Sequence, residues 1–421
     1  MKKRCMFSMS AVVGFLTAMS LIFSGCPESG IPEEIEIPDD QNTGDSTYKK
    51  GKGGNRVWHT IWLEPVQDPR LVMGYRLDND EKTPLFDHVV ILYGMRLRNS
   101  ICSRIDWPCS IDGLHACLTG NMLYYMEHAE TYLKPIQDNG QKVIVSLVPG
   151  GLANFAVEGA AVGSLFNWPN ERTYPWDRWA NGREYPGNEE NTYNIIDFIA
   201  EWFMKANIDG IAYDEEYGGD VKFTNPNGGG NTTVSVYGGT SSDNLLRFAY
   251  ELNQEMKRRG RTENLIQEIY ETKITLNPTA TFKDRRTGEE VTVYRDELIT
   301  LSYMPNYGGW LDKSTNPGFP NNRFGPASVA VSDIPLNSPR PPPGRRGNAG
   351  IINRMERHLR GKYGVVMYYG LGSRAGLESW PQDTFGESDG TKPETYFSSI
   401  TEILYDHKTI YVGEDYDGGW K

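Results

Sequence analysis

The apolar residues of this chain form two kinds of pattern, short continuous runs and longer stretches with helical spacing. Continuous apolar runs bounded by turn residues are typical of buried strands, and apolar residues three and four positions apart are typical of helices. The runs predict eight strands, at 57–63, 89–93, 143–148, 208–217, 273–276, 298–303, 328–331 and 363–369. The helical spacing predicts helices at 122–137, 193–206, 242–259, 351–360 and 396–405.

Eight short strands separated mostly by helices predict an α/β fold, a single (β/α)8 TIM barrel. The segments around strands 5 to 7 look too irregular for full helices, so we expect irregular loops to replace helices there. The alternative is an open, doubly wound parallel sheet. Such a sheet often carries a glycine-rich phosphate loop between a strand and a helix, and the three glycines at 228–230 are not placed in that way.

The first 54 residues differ in composition from the rest of the chain. Residues 1–26 have a basic start and an apolar stretch, and Phe-Ser-Gly-Cys at 23–26 resembles a bacterial lipoprotein box. We therefore expect a lipoprotein signal peptide that ends at lipidated Cys26, with an ordinary secretory signal as the alternative. Residues 27–54 predict a flexible acidic tether, and residues 55–415 form the predicted barrel domain.

The leader predicts a protein of the bacterial cell envelope that touches the membrane through its lipid anchor only. Because Pro27 after Cys26 gives no signal for retention in the inner membrane, we expect the outer membrane. The chain has 43 Lys and Arg against 55 Asp and Glu, and loss of three basic leader residues would change the net charge from −12 to −15. This acidity disfavours nucleic acid as a partner. It fits a neutral substrate such as a glycan, and we expect a monomer.

Cysteine and histidine spacing gives no sign of a metal site. Cys102, Cys109 and Cys117 lie in one stretch with many Gly and Pro residues, and any one pair of them could form a disulfide in an oxidising envelope. They lack the closely spaced pairs of zinc sites. The six histidines are scattered without ligand spacing, so we predict no metal site.

The stretch from Ile208 to Tyr217 predicts a buried strand that ends in acidic residues. Alternate side chains of a strand point the same way, so Ala212, Asp214 and Glu216 share one face. Two crowded carboxyl groups tend to differ in pKa, as general acid catalysis requires. In a barrel of this class the chemistry lies at the C-terminal strand ends. The alternative is a solvated acidic turn.

Aromatic residues follow the same ends of other strands. Tyr303 ends strand six, Tyr307 and Trp310 come shortly after it, and Tyr369 ends strand eight. Aromatic rings stack on sugar faces, and hydroxyl groups orient polar ligands. Carboxyl groups surrounded by Tyr and Trp therefore predict a sugar site, with packing inside the barrel as the alternative for each aromatic. An aromatic-rich insert at 168–185 follows strand three, where it could wall the substrate groove.

The acidic strand also resembles a known family. Asp-Gly-Ile-Ala-Tyr-Asp-Glu-Glu at 209–216 resembles the DGxDxDxE motif of glycoside hydrolase family 18. The following Tyr217 is more similar to the endo-β-N-acetylglucosaminidase branch (Endo H and Endo F type) than to the chitinase branch. Segments at 142–148, 302–308 and 363–371 resemble other family strands in order and spacing. The resemblance covers roughly residues 56–410.

The resemblance implies hydrolysis of the β-1,4 bond between the two core GlcNAc residues of an N-linked glycan or glycoprotein. The substrate's own 2-acetamido group attacks the anomeric carbon, with net retention and without metal or cofactor. Glu216 matches the general acid/base and Asp214 the carboxylate that orients the acetamido group. Asp209 is expected to serve strand structure. The substrate-binding candidates are Tyr217, Tyr303 and Tyr307 (the last two toward the acetamido carbonyl), Trp310, and Tyr369 as the floor of the sugar site.

One position departs from the family pattern. Ala212 stands where the family usually has an Asp beside Asp214, so one like charge is missing and Asp214 should ionise more easily. We expect activity to survive, with an altered pH optimum or a lower rate. The alternatives are a chitinase-like hydrolase and a non-catalytic, lipid-anchored glycan-binding protein.

Overall fold

The structure is a computed structural model, and the chain divides into two compact units, Met1–Gly44 and Asp45–Lys421. All of the described residues belong to the second unit. They are residues 51–54, 56–63, 68–98, 115–118, 120–148, 189–215, 220–224, 231–235, 241–270, 275–305, 313–327, 329–330, 355, 357–369 and 393–413. The predicted signal peptide with Cys26 and most of the predicted tether lie outside these residues.

Eight parallel strands form a nearly closed barrel, which confirms the predicted (β/α)8 fold. The strands are β1 Trp58–Leu63, β2 His88–Arg98, β3 Lys142–Val148, β4 Gly210–Glu215, β5 Leu265–Tyr270, β6 Leu301–Pro305, β7 Phe324–Ala327 and β8 Val365–Tyr369. Neighbours from β1 to β7 pair in chain order, and β8 pairs with β1. Antiparallel additions are His115–Leu118 beside β2, and small two-stranded sheets outside the barrel.

The barrel closes at β7, which is short and has a two-residue continuation. Phe324–Ala327 pairs with β6, and Val329–Ala330 pairs with β8. A Cβ atom at Gly325 would lie 2.0 Å from the carbonyl oxygen of Val365. Because such an approach is possible only without a side chain, Gly325 lets the β7 and β8 backbones come together.

The helices pack outside the strands, and the helical prediction for 122–137 was too simple. The helices are α1 Gly120–Glu127, α2 Ala129–Tyr132, α3 Lys134–Asp138, α4 Glu189–Ala206, α5 Ser241–Arg258, α6 Arg295–Leu298 and α7 Pro393–Tyr405, with helical residues also at 355 and 357–360. The predicted single helix is therefore three short ones. His128 leaves the helical region with φ −114° and ψ 39°. Pro135 lies in the first turn of α3, where proline fits, since proline breaks the interior of a helix.

Strand five was placed wrongly at 273–276, since the barrel strand is Leu265–Tyr270 and Thr275 and Leu276 are not in a strand. Two polar residues interrupt the apolar pattern of the true strand. Gln267 and Glu268 are both 0% exposed, so they are core residues in three dimensions although their chemistry is typical of a surface. Strand seven was predicted at 328–331 but begins at Phe324. Its first residues, Phe-Gly-Pro-Ala, do not form an apolar run, so the sequence pattern did not indicate them.

The irregular region predicted around strands 5 to 7 is confirmed for the described residues. Between β5 and β6 lie a hairpin, Thr279–Lys283 with Glu290–Tyr294, and the single-turn α6. Between β6 and β7 lie two 3-10 turns, Lys313–Thr315 and Asn321–Arg323. The single turn at α6 also explains why β6 starts at Leu301 rather than at the predicted residue 298.

Two cores are separated by the barrel wall. The outer core fills the space between strands and helices. The inner core fills the barrel and consists of Trp62, Val90, Leu92, Ile144, Ala212, Ile269, Leu301, Tyr303, Val365 and Met367. On the strands that supply these residues, inner residues alternate with outer ones, as in other packed barrels.

Candidate active site

Strand β4 places Asp214 on the inner face of the barrel. Ile211 and Tyr213 belong to the outer core, where the Tyr213 ring meets Phe248 of α5 edge-on at 5.7 Å. Ala212 belongs to the inner core, so Asp214, two residues further on, also faces inward. Its side chain is 4% exposed at the C-terminal end of the strand. The predicted shared face is thus confirmed for Ala212 and Asp214.

The first two residues of the acidic motif have a structural role. The Asp209 carboxylate accepts hydrogen bonds from the Val143 backbone N–H at 2.9 Å and from Gln137 Nε2 at 2.7 Å. These bonds tie the residue before β4 to β3 and to α3. A Cβ atom at Gly210 would lie 2.1 Å from the Leu265 carbonyl oxygen, so only glycine allows β4 to approach β5 there. The expectation that Asp209 serves strand structure is confirmed.

Tyr303 lies level with Asp214, two strands away. Asp214 is in register with Ile269, and Ile269 is in register with Tyr303. Tyr303 is fully buried, and burial raises the pKa of its hydroxyl above the ordinary tyrosine value. The group is therefore a neutral phenol at any physiological pH.

The Tyr303 hydroxyl has two partners inside the barrel. It lies 2.8 Å from Thr60 Oγ1 and 2.8 Å from Gln267 Oε1. A phenol has a single proton, and in this arrangement one of these two oxygens receives it. Donation to a substrate carbonyl would require that interior bond to break. The assignment of Tyr303 as a substrate-binding residue stays a prediction.

Three polar residues of the barrel interior were missed by the sequence interpretation: Thr60, His88 and Gln267. Gln267 Nε2 lies 2.8 Å from His88 Nδ1, and the His88 ring stacks on Trp58 at 5.3 Å. Each shares a strand face with apolar inner residues, such as Trp62 on β1 and Val90 on β2. That alternation was the available signal.

Trp62 is an inner aromatic residue near the C-terminal end of β1. It is fully buried, and its ring meets Tyr303 edge-on at 6.4 Å and an interplanar angle of 86°. It is also in register with Tyr369 of β8. The backbone of Tyr369 is thus placed as the last residue of its strand, where the sequence predicts it, although its side chain lies outside the described residues.

Several predicted site residues fall outside the described ranges. Glu216, Tyr217, Tyr307 and Trp310, like the insert at 168–185, lie outside the described residues. Their roles stay predictions, as does the choice of disulfide among the three cysteines. Within the described ranges, no group of three or more His, Cys, Asp or Glu residues could hold a metal ion. No helix in that part of the chain is long and apolar enough to cross a membrane.

The fold is similar to that of glycoside hydrolase family 18 enzymes. No protein-family model matches the chain, and no curated protein does. Bacteroides thetaiotamicron EndoBT-3987, solved with Man9GlcNAc2Asn substrate, is 16% identical with a TM-score of 0.50, over 88% of this chain and 71% of that one. In its structure with Man5GlcNAc product the identity is 15% and the TM-score 0.49, over 88% of this chain and 66% of that one.

Two further solved structures are similar to this chain at lower TM-scores. A fungal endo-beta-N-acetylglucosaminidase from glycosyl hydrolase family 18 is 13% identical, covering 83% of this chain and 98% of that one, with a TM-score of 0.39. The Ostrinia furnacalis group II chitinase catalytic domain 2 is 11% identical, covering 85% and 99%, with a TM-score of 0.41. At these identities the similarity concerns the barrel, and it does not separate the branches.

Proposed function

We propose that this chain is an endo-acting glycosidase that hydrolyses the β-1,4 bond between the two core GlcNAc residues of N-linked glycans. The observation that carries the proposal is the position of Asp214. It is a buried carboxylic acid on the inner face of β4, at the C-terminal end of a (β/α)8 barrel, where such barrels hold their active sites. The similarity of the fold to an enzyme solved with Man9GlcNAc2Asn supports the choice of substrate.

The proposed reaction divides the work between two carboxyl groups and the substrate. Glu216 protonates the leaving glycosidic oxygen. Asp214 orients the 2-acetamido group, whose carbonyl oxygen attacks the anomeric carbon and forms an oxazolinium ion. Water then opens this intermediate with Glu216 as base, so the anomeric configuration is retained.

The decisive experiment is mass analysis of a high-mannose glycopeptide after incubation with the purified protein. The proposal expects a peptide that keeps one GlcNAc, together with a released glycan that has lost it. Glycopeptide left uncut from pH 4 to 8 would refute hydrolysis and favour a glycan-binding protein. Cleavage of chitin oligosaccharides without cleavage of the glycopeptide would favour the chitinase-like alternative.

The role of Glu216 can be separated from that of its neighbour by a matched pair of variants. Glu216→Gln should abolish cleavage while glycan binding persists, because the amide cannot donate the catalytic proton. Glu215→Gln is the control, since it removes the neighbouring carboxyl group at a position to which the motif gives no catalytic role. Equal loss in both variants would show that Glu216 is not the specific acid.

We also propose that the protein is attached to the bacterial outer membrane through lipid on Cys26. The proposal rests on the sequence of the leader. Metabolic labelling with a radioactive fatty acid should mark the wild-type chain, and Cys26→Ser should remove both the label and the membrane association. A labelled Cys26→Ser chain would contradict it.

A further inference from the structure

Four buried polar side chains form a continuous hydrogen-bonded chain across the inside of the barrel, here called the interior chain. Thr60 of β1 contacts Tyr303 of β6, Tyr303 contacts Gln267 of β5, and Gln267 contacts His88 of β2, each at 2.8 Å. His88 is 3% exposed and the other three are 0% exposed. Their polar groups therefore form hydrogen bonds with one another rather than with bulk water.

The orientation of the Gln267 amide sets the direction of the protons. In this orientation Oε1, which can only accept, faces Tyr303, and Nε2, which can only donate, faces His88. Because Oε1 faces Tyr303, the phenol donates its proton to Gln267, and Thr60 donates its own proton to Tyr303. Because Nε2 faces His88 Nδ1, that nitrogen accepts, and the neutral imidazole carries its proton on Nε2.

We propose that Gln267 is a positioning residue of the candidate active site, which acts by holding Tyr303 in the barrel interior. Tyr303 lies in register between Ile269 of β5 and Gly325 of β7, and its ring packs edge-on against Trp62. Asp214 lies at the same height in the barrel as Tyr303, because both residues are in register with Ile269. A displaced Tyr303 ring would therefore disturb both Trp62 and the layer that supports Asp214.

This proposal differs from the role that the family resemblance implies for Tyr303, and it rests on the proposed glycosidase function for its kinetic part. If Tyr303 donated to the substrate directly, it would act independently of Gln267. If the two residues act as one unit, their substitutions are not additive. The two readings can thus be separated by a double-mutant cycle.

The kinetic test uses Gln267→Met, Tyr303→Phe and the double variant on a glycopeptide substrate. Gln267→Met keeps the length of the side chain and removes both hydrogen bonds. It should lower kcat about tenfold with KM within about threefold, since misplacement of the site affects the chemical step most. The double variant should be no slower than Tyr303→Phe alone. Additive losses, or an unchanged kcat in Gln267→Met, would overturn the proposal.

Rescue by a conservative variant adds a second arm. Because burial keeps a carboxylic acid neutral, Gln267→Glu places an oxygen acceptor toward the Tyr303 proton and a hydroxyl donor toward His88 without adding a charge. It should therefore recover most of the kcat lost in Gln267→Met. Equal kcat losses in the two variants would contradict the role of Gln267 in holding Tyr303.

A spectroscopic arm tests the interior chain without any turnover. ¹⁵N NMR of histidine-labelled wild-type protein should show His88 with its proton on Nε2, and Tyr303→Phe should shift the Nδ1 resonance through Gln267. A proton on Nδ1, or an unshifted spectrum, would contradict the proposed hydrogen bonds of the interior chain, even if the enzyme is active. An inactive protein with the expected spectra would instead refute the proposed function and leave the chain standing.

Discussion

The two faces of β5 carry buried polar residues of opposite kinds. On the inner face, Gln267 joins the neutral interior chain. On the outer face, Glu268 accepts a hydrogen bond from Ser302 Oγ at 2.9 Å and contacts Arg295 of α6 in an ion pair whose side chains are 0% and 2% exposed. A charge in a dry core requires an opposite charge and further hydrogen bonds. Among the described residues, α6 supplies the opposite charge at the outer face of β5.

This barrel tolerates a buried charge where an opposite charge lies beside it. In the interior chain each side chain is hydrogen-bonded to a neutral partner, without any ionised group. The outer pair is satisfied by opposite charges, and Arg295 is held in addition by the Asn277 carbonyl oxygen at 2.9 Å. Substitutions that place, remove or neutralise a buried charge should therefore have larger effects than substitutions that remove one neutral hydrogen bond.

The largest effect should follow from breaking the outer pair. Glu268→Gln removes the carboxylate that the Arg295 guanidinium contacts and should lower the free energy of unfolding by about 3–5 kcal/mol. Urea denaturation followed by tryptophan fluorescence measures this change. As a control, Glu268→Met combined with Arg295→Met removes both charges. If the double variant is less stable than Glu268→Gln, unpaired charge is not the reason for the loss.

The next effect concerns a buried histidine in the helical residues before β8. His358 is 0% exposed, its ring nitrogen Nε2 contacts the Val365 carbonyl oxygen at 2.8 Å, and burial lowers its pKa from 6.5 to about 4. The unfolded chain binds the proton more tightly. The stabilisation is thus complete above pH 6.5 and is lost as the pH falls toward 4, by about 3 kcal/mol in total.

The His358 effect can be isolated by comparing pH profiles of stability. His358→Gln keeps a donor for the Val365 carbonyl oxygen and removes the titrating group. Unfolding midpoints of the wild type should therefore fall more steeply between pH 6.5 and 4 than those of the variant. Parallel profiles would show that another group is responsible.

The fold could be predicted from sequence to the extent that burial coincided with apolar residues. Strands β1, β3 and β8 are apolar runs, and their positions were predicted within two residues. Strand β5 was missed because Gln267 and Glu268 are buried polar residues, and their burial depends on partners far along the chain. Their contacts with His88 and Arg295 span 179 and 27 positions, which local patterns do not encode.

The position of the Asp214 carboxyl group could be predicted from the sequence, whereas the interior chain of hydrogen bonds could not. The alternation of β4 placed Asp214 and Ala212 on one face, since that rule depends on neighbours in sequence only. The interior chain was not predicted, because it joins four strands that meet only when the barrel closes. Thr60 and Tyr303, for instance, are 243 positions apart.

A third prediction places a charge on the inner face of β4. Ala212 is fully buried in the inner core, and Ala212→Asp would put a carboxyl group near Asp214. Burial and the neighbouring carboxylate both raise the pKa of the new group, so the variant should lose stability as the pH rises above the ordinary Asp value. We expect a loss of about 2 kcal/mol at pH 7.

The uncharged variant Ala212→Asn is the control for that prediction. It adds similar volume without a titrating group, so its stability relative to the wild type should not vary between pH 4 and 8. A pH-independent loss in Ala212→Asp of the same size as in Ala212→Asn would indicate overpacking, and the inner face would then tolerate charge.

The smallest effect should come from one end of the interior chain. Thr60→Val keeps the shape of the side chain and removes the hydroxyl that donates to Tyr303, so it should lower the free energy of unfolding by only about 1 kcal/mol. Thr60→Ser keeps the hydroxyl and should restore the Tyr303 contact, while losing a methyl group in the core. Measured by urea denaturation, a loss in Thr60→Val as large as in Glu268→Gln would mean that neutral and charged partners count equally in this barrel. The contrast between the two faces of β5 would then have no energetic basis.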